Sequence, residues 1–98
     1  MDFIKQVAMT ALRLSEEDVK NIVECTLVKE IYSCWESNDF GEDFALYTGF
    51  ADDGVTHRYF LKHFERDWYG GWSYDDKFDW YEISEKDFLL LSQFDCKS

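Results

Sequence analysis

Carboxylates are the residues of this chain with the most chemistry to offer, and they are unevenly placed. Twenty-one Asp and Glu stand against ten Lys and Arg, a formal net charge of −11 on 98 residues. From Glu36 to Gly54 there are six acids, Glu36, Asp39, Glu42, Asp43, Asp52 and Asp53, and no base. From Glu65 to Asp87 eight acids face only Arg66, Lys77 and Lys86. These two stretches account for the whole net charge, so the rest of the chain is close to neutral. Folding needs no such excess, and self-repulsion opposes compaction. Carboxylates form strong charge-assisted bonds to Arg and Lys. The charge therefore predicts a basic partner.

A second concentration lies from Trp68 to Tyr81, where Trp68, Tyr69, Trp72, Tyr74, Phe78, Trp80 and Tyr81 stand beside Asp67, Asp75, Asp76 and Asp79. Some of these rings belong in a core, Phe78 and Trp80 first among them. Others suit a contact surface, because Trp and Tyr combine large contact area with a polar handle. Next to a carboxylate, such a ring lets an arginine pair with the acid and stack at once. Trp72, between Gly71 and Ser73, is the ring least suited to a core. Aromatics interleaved with acids repel phosphate, so direct nucleic-acid binding is not expected.

Metal and catalytic chemistry find less support. His57 and His63 are six residues apart, about 20 Å along a regular strand, too far to share one ion. No C-x-x-C, H-E-x-x-H or EF-hand loop is present, and Asp52-Asp53-Gly54 is accounted for as a turn. Asp75 with Asp79, or Asp79 with Glu82, has the composition of an acid–base pair, but close carboxylates arise by chance in so acidic a chain. No nucleophile elbow, phosphate-cradling glycine loop or Cys–His arrangement supports catalysis. The sequence reads as a protein without enzymatic activity, metal or cofactor.

The elements that must position these groups follow from size and pattern. One domain spans residues 1–98, with 46% hydrophobic and 19% aromatic residues, enough to bury a modest core despite the charge. No apolar run approaches the roughly 20 residues that cross a bilayer, and the start lacks the pattern of a signal peptide. An acidic surface is also repelled by anionic lipid. A cytoplasmic protein with reduced thiols is expected.

Phe3 to Leu12 reads as a short helix. Ser15 caps a second, amphipathic helix from Glu16 to Glu36, on the spacing of Val19, Ile22, Val23, Leu27, Ile31 and Trp35. On it Cys25 and Cys34 would be about 13 Å apart on opposite faces, beyond disulfide reach, and Cys96 falls in the tail. Ser37 to Asp43 reads as a loop. Phe44–Ala51 and Val55–Phe64 flank Asp53-Gly54 as a hairpin. A two-residue turn gives partner numbers that sum to 107, and a three-residue loop would shift that register by one. Phe44, Leu46, Phe50, His57, Tyr59, Leu61 and His63 then share one face, and Ala45, Tyr47, Arg58, Phe60 and Lys62 the other. Glu65 to Lys77 reads as irregular, Phe78–Ile83 as a third strand, and Ser84 as the cap of a closing helix. The fold class predicted is α+β: a small antiparallel sheet of about three strands with helices packed on one face, in the order α-α-β-β-β-α.

In size, charge and aromatic content the whole chain resembles phage-encoded nucleic-acid-mimic inhibitors of host defence, the anti-CRISPR and anti-restriction proteins. The resemblance is carried by composition, not by a motif. It implies an intracellular inhibitor in the host cytoplasm whose carboxylates stand in for phosphates and block the basic groove of a CRISPR effector, restriction enzyme or other nuclease. The contacts it implies are Glu36, Asp39, Glu42, Asp43, Asp52 and Asp53, with Asp67, Trp72, Asp75, Asp76 and Asp79. An immunity protein or antitoxin neutralising a basic nuclease toxin fits the same acids. A small ligand-binding domain or enzyme that stacks a flat ligand on the Trp-rich segment is a third reading. The amphipathic segment and surplus aromatics also permit a homodimer.

Overall fold

The chain folds around the hairpin at Asp53-Gly54, in a computed structural model that describes residues 2–37, 40–67 and 75–94. Strands β3 (Gly41–Phe50) and β4 (His57–Asp67) pair antiparallel without interruption from Gly41↔Arg66 to Phe50↔His57. This is the register expected, with partners summing to 107 and the same residues on each face. The turn itself is wider than two residues. Ala51 N–H donates to Thr56 O and Gly54 N–H to Ala51 O, each at 2.9 Å. Gly54 takes φ 71°, a left-handed conformation that glycine adopts without steric penalty. Asp53 closes the loop: its Oδ1 accepts from the Val55 and Thr56 N–H groups, each at 2.8 Å, and its Oδ2 from the Thr56 hydroxyl at 2.6 Å.

The long helix expected from Glu16 to Glu36 does not form. Helix α1 covers Asp2–Thr10 and a two-residue strand β1 covers Leu12–Arg13. Helix α2 starts where predicted but spans only Glu16–Lys20. The Ser15 hydroxyl accepts from Asp18 N–H at 3.1 Å, and the Asp18 carboxylate accepts from Ser15 N–H at 3.3 Å. From Val23 to Trp35 the chain is strand β2. Six of its thirteen residues are β-branched or aromatic, a composition that favours a pleated strand over a helix. Cys25 and Cys34 are therefore on a strand, both free and exposed; Cys96 lies outside the described residues.

The predicted loop from Ser37 to Asp43 also yields to pairing, since Gly41, Glu42 and Asp43 belong to β3. The segment read as irregular, Glu65 to Lys77, contributes its ends to strands: Glu65–Asp67 to β4 and Asp75–Lys77 to β5 (Asp75–Ile83). Ser84 caps α3 (Glu85–Leu91) as expected, accepting from Asp87 N–H. Among the described residues the architecture is one five-stranded antiparallel sheet, in the order β1-β5-β4-β3-β2, with three short helices. That overturns the three-strand sheet with helices on one face. Among these residues no helix is long and apolar enough to cross a membrane.

Helices lie on both sides of the sheet. On one side Ile4 and Val7 of α1 and Leu91 of α3 join Ile31, Phe44, Leu46, Leu61 and Ile83 in the buried core. On the other, the chain crosses from β1 at one edge to β2 at the opposite edge. Leu14 N–H donates to Trp80 O at 2.8 Å at the start of the crossing. At its end a Cβ on Gly49 would stand 2.7 Å from Ile22 Cγ2, an approach that glycine alone permits without a shift. Phe60, fully buried, lies on the crossed face. The Arg58 guanidinium sits 5.2 Å above the Phe60 ring and is held by Glu82 through two bonds of 2.8 and 2.9 Å.

Candidate functional site

The sheet register decides which carboxylates meet. Strands of about ten residues are roughly 30 Å long, so the two ends of the hairpin are separate surfaces. Asp52 and Asp53 sit at the turn end. The Asp53 carboxylate is occupied by its own loop: the Thr56 hydroxyl first, then the Thr56 and Val55 backbone N–H groups, hold its pKa down at about 2. Glu36, Glu42 and Asp67 gather at the opposite end, joined by Glu65, around a cleft of about 370 Å³ that Phe40 and Cys34 also line.

At this end like charges stand opposite one another. Glu42 on β3 is the Cα partner of Glu65 on β4. Asp67 follows on β4, and its own Cα partner on β5 is Asp75. Cross-strand like charges destabilise a sheet. Cationic and imidazole groups stand beside these acids, since Lys77 is the β5 Cα partner of Glu65 and His63 Nε2 lies 2.9 Å from Glu42. Acids still outnumber bases at this end.

The other predicted residues are dispersed. Asp43 faces the crossed side of the sheet, where the Trp35 indole N–H donates to it at 3.0 Å. Neighbouring Glu30 is pushed up in pKa by burial, then by a hydrogen bond to Asp43 and by its charge. Asp76 is on this side too, held by two Arg66 bonds of 2.8 and 3.1 Å that lower its pKa. Asp79 faces the α1 side: its Oδ1 accepts from Arg13 at 2.7 Å, and its Oδ2 lies 3.8 Å from His63 Nδ1. Asp39 and Trp72 fall outside the described residues, as do Trp68, Tyr69 and Tyr74.

The described rings of the Trp-rich segment divide between surfaces. Tyr81 packs against the core. Trp80 and Phe78 lie on the opposite side, with Lys62 Nζ 5.3 and 5.0 Å from their ring centroids. The same ammonium stands 5.6 Å from Tyr47, while Arg66 covers Trp35 and Phe64 at 6.0 and 5.6 Å. These rings are already partnered by the chain's own cations, which does not favour a bare stacking platform for a flat ligand.

No family model, curated protein or solved structure matches this chain. At the acidic end of the sheet four carboxylates, Glu36, Glu42, Glu65 and Asp67, line one cleft. Glu65 and His63, which the expected contact set omits, belong to that end. The hairpin register would have found them: carried two pairs beyond Phe44↔His63, it sets Glu42 opposite Glu65.

Proposed function

We propose that this protein is an acidic binding module that docks on a basic, nucleic-acid-binding protein in the cytoplasm and occupies the groove that takes phosphates. The single observation that carries the reading is the gathering of Glu36, Glu42, Glu65 and Asp67 around one cleft, with Glu42 directly opposite Glu65. A row of arginine and lysine side chains would relieve that repulsion and gain charge-assisted hydrogen bonds. The carboxylates are also presented in a fixed array, since one strand face repeats a side chain about every 6.6 Å. Binding through an array held by a sheet loses less conformational entropy than binding through a flexible acidic tail. The contact set is narrower than the sequence implies: Glu36, Glu42, Glu65 and Asp67, with Asp52, Asp53, Asp76 and Asp79 outside it.

The test is capture on tagged protein from host lysate at low and moderate salt, followed by reconstitution with the purified partner. The captured protein should bind nucleic acid, lose the module as salt rises, and release it to competing duplex DNA or RNA. Charge reversal by Glu36→Lys with Asp67→Lys should weaken capture at least tenfold, while Asp52→Lys at the far end leaves it unchanged. Capture indifferent to the Glu36 and Asp67 reversals overturns the reading. The partner's identity separates an inhibitor of a defence nuclease from an immunity protein against a toxin.

A further inference from the structure

On the α1 side of the acidic end, three side chains from two adjacent strands converge. Glu42 of β3 and His63 and Glu65 of β4 each offer a ligand atom, and these atoms all lie within 4.8 Å of one another. His63 Nε2 is 2.9 Å from Glu42 Oε2. The imidazole is fixed from two further directions. Its ring stacks on Phe44, with centroids 4.4 Å apart and planes 19° from parallel. Its Nδ1 faces the Asp79 carboxylate, itself anchored by Arg13. In the ion-free chain the 2.9 Å contact has Nε2–H donating to the Glu42 carboxylate. An ion displaces that proton and takes the Nε2 lone pair. Asp79, 3.8 Å from Nδ1, is placed to close on Nδ1–H as the carboxylate that orients a metal-bound histidine.

We propose that Glu42, His63 and Glu65 bind a divalent transition-metal ion, for which Zn²⁺ is the reference. Ligand distances to zinc of about 2.0–2.2 Å for both nitrogen and oxygen donors put donor atoms somewhat over 3 Å apart. The ion enters by widening the His63–Glu42 contact slightly and drawing Glu65 in. One imidazole with two carboxylates suits a borderline cation and discriminates against Mg²⁺ and Ca²⁺, which prefer all-oxygen sets. Two carboxylates neutralise the ion's charge, which removes the Glu42–Glu65 repulsion that the bare sheet carries.

The remaining coordination positions open on a cleft of about 300 Å³ that Lys5, Ala8 and Met9 of α1 and Tyr81 of β5 line. They are left for water or a small anion, for which Lys5 at the rim supplies positive charge. Metal binding at this place would share Glu42 and Glu65 with the proposed contact set, so the two readings are tested at different residues.

The experiment is titration of the full chain with Zn²⁺ by calorimetry and with Co²⁺ by visible absorption, each against Mg²⁺. One equivalent of Zn²⁺ should bind at least a hundredfold more tightly than Mg²⁺, with Co²⁺ d–d bands and no intense near-ultraviolet thiolate band. Glu65→Gln, which keeps the shape of the side chain, should weaken Zn²⁺ at least tenfold. His63→Ala should reduce it to the Mg²⁺ level, and Asp79→Asn should weaken it tenfold or more through the imidazole. Circular dichroism confirms that each variant keeps its sheet, and Glu36→Gln should bind as the parent does. Equal affinity for Zn²⁺ and Mg²⁺, indifference to Glu65→Gln in a folded chain, or a thiolate band that assigns the ion to Cys34 would each overturn the site. The partner reading is tested separately, at Glu36 and Asp67, which are not ligands of the ion.

Discussion

Asp53 shows how a residue's immediate neighbours can take it out of a functional set. Its two oxygens accept three hydrogen bonds within the loop, so the folded chain holds the carboxyl ionised at a pKa of about 2. An unfolded chain protonates the same group near its ordinary 3.8. A depressed folded pKa adds stability that is complete above the unfolded value and is lost as pH falls through the folded one. Asp53 should therefore contribute fully above about pH 4 and lose that contribution toward pH 2. Asp53→Ala should lower Tm by a few degrees at neutral pH and flatten the acid side of the Tm–pH curve, measured by calorimetry. A variant curve parallel to the parent's down to pH 2 would remove Asp53 from the acid response. Partners decide the acidic end in the same way. Acid counts along the sequence do not show that Asp76 and Asp79 have arginine partners. Those pairings join residues 10 and 66 positions apart, a separation at which only the folded register brings charges together.

At the scale of the element, β2 marks the limit of pattern reading. Val23, Leu27, Ile31 and Trp35 recur every four residues, which fits one face of a helix and also one face of a strand, because four is a multiple of both periods within tolerance. Three register shifts, between Val23 and Thr26, Leu27 and Lys29, and Glu30 and Tyr32, break the alternation that would have betrayed the strand. They turn Ile31 into the core while Leu27 stays exposed. By contrast, the hairpin and both serine caps were legible, because turn and cap chemistry is local. Ile31, 2% exposed in the core, gives one check: Ile31→Ala should cost about 2–5 kcal/mol by denaturant titration. Gly49 gives another, at the point where the crossing segment meets β2. Gly49→Ala drives a methyl group toward Ile22 and the Val23 carbonyl and should cost about 1–3 kcal/mol. Adding Ile22→Ala should restore part of that loss, a coupling expected only if the two residues touch. Strict additivity would mean that the crossing lies elsewhere.

For the molecule as a whole, the question is whether the net charge of −11 is a burden on the fold that a partner lifts. The exposed ion pairs are modest: Arg13–Asp79 is largely open to solvent on the arginine side, and Arg66–Asp76 is about one-third exposed at both side chains. Pairs of this kind contribute about 0–1 kcal/mol each, so screening them removes little. Repulsion, in contrast, is summed over twice as many acids as bases, and it is concentrated where Glu36, Glu42, Glu65 and Asp67 share one cleft. Salt shortens the reach of attraction and repulsion alike, to about 10 Å at 0.1 M. In so acidic a chain the repulsion outweighs the attraction, so screening stabilises the fold. The molecule measures 45 × 29 × 21 Å, so charges at its two ends are beyond that length and only the local clusters still interact. Raising NaCl from about 0.01 to about 0.5 M at neutral pH should therefore raise Tm by several degrees. Most of the rise should vanish in Glu65→Gln with Asp67→Asn, which remove two of the four charges at the cleft. If Tm falls with salt instead, the arginine pairs outweigh the repulsion and the acidic end carries no strain for a basic partner to relieve. A rise that survives the double substitution would place the repulsion elsewhere in the chain and shift the contact surface with it.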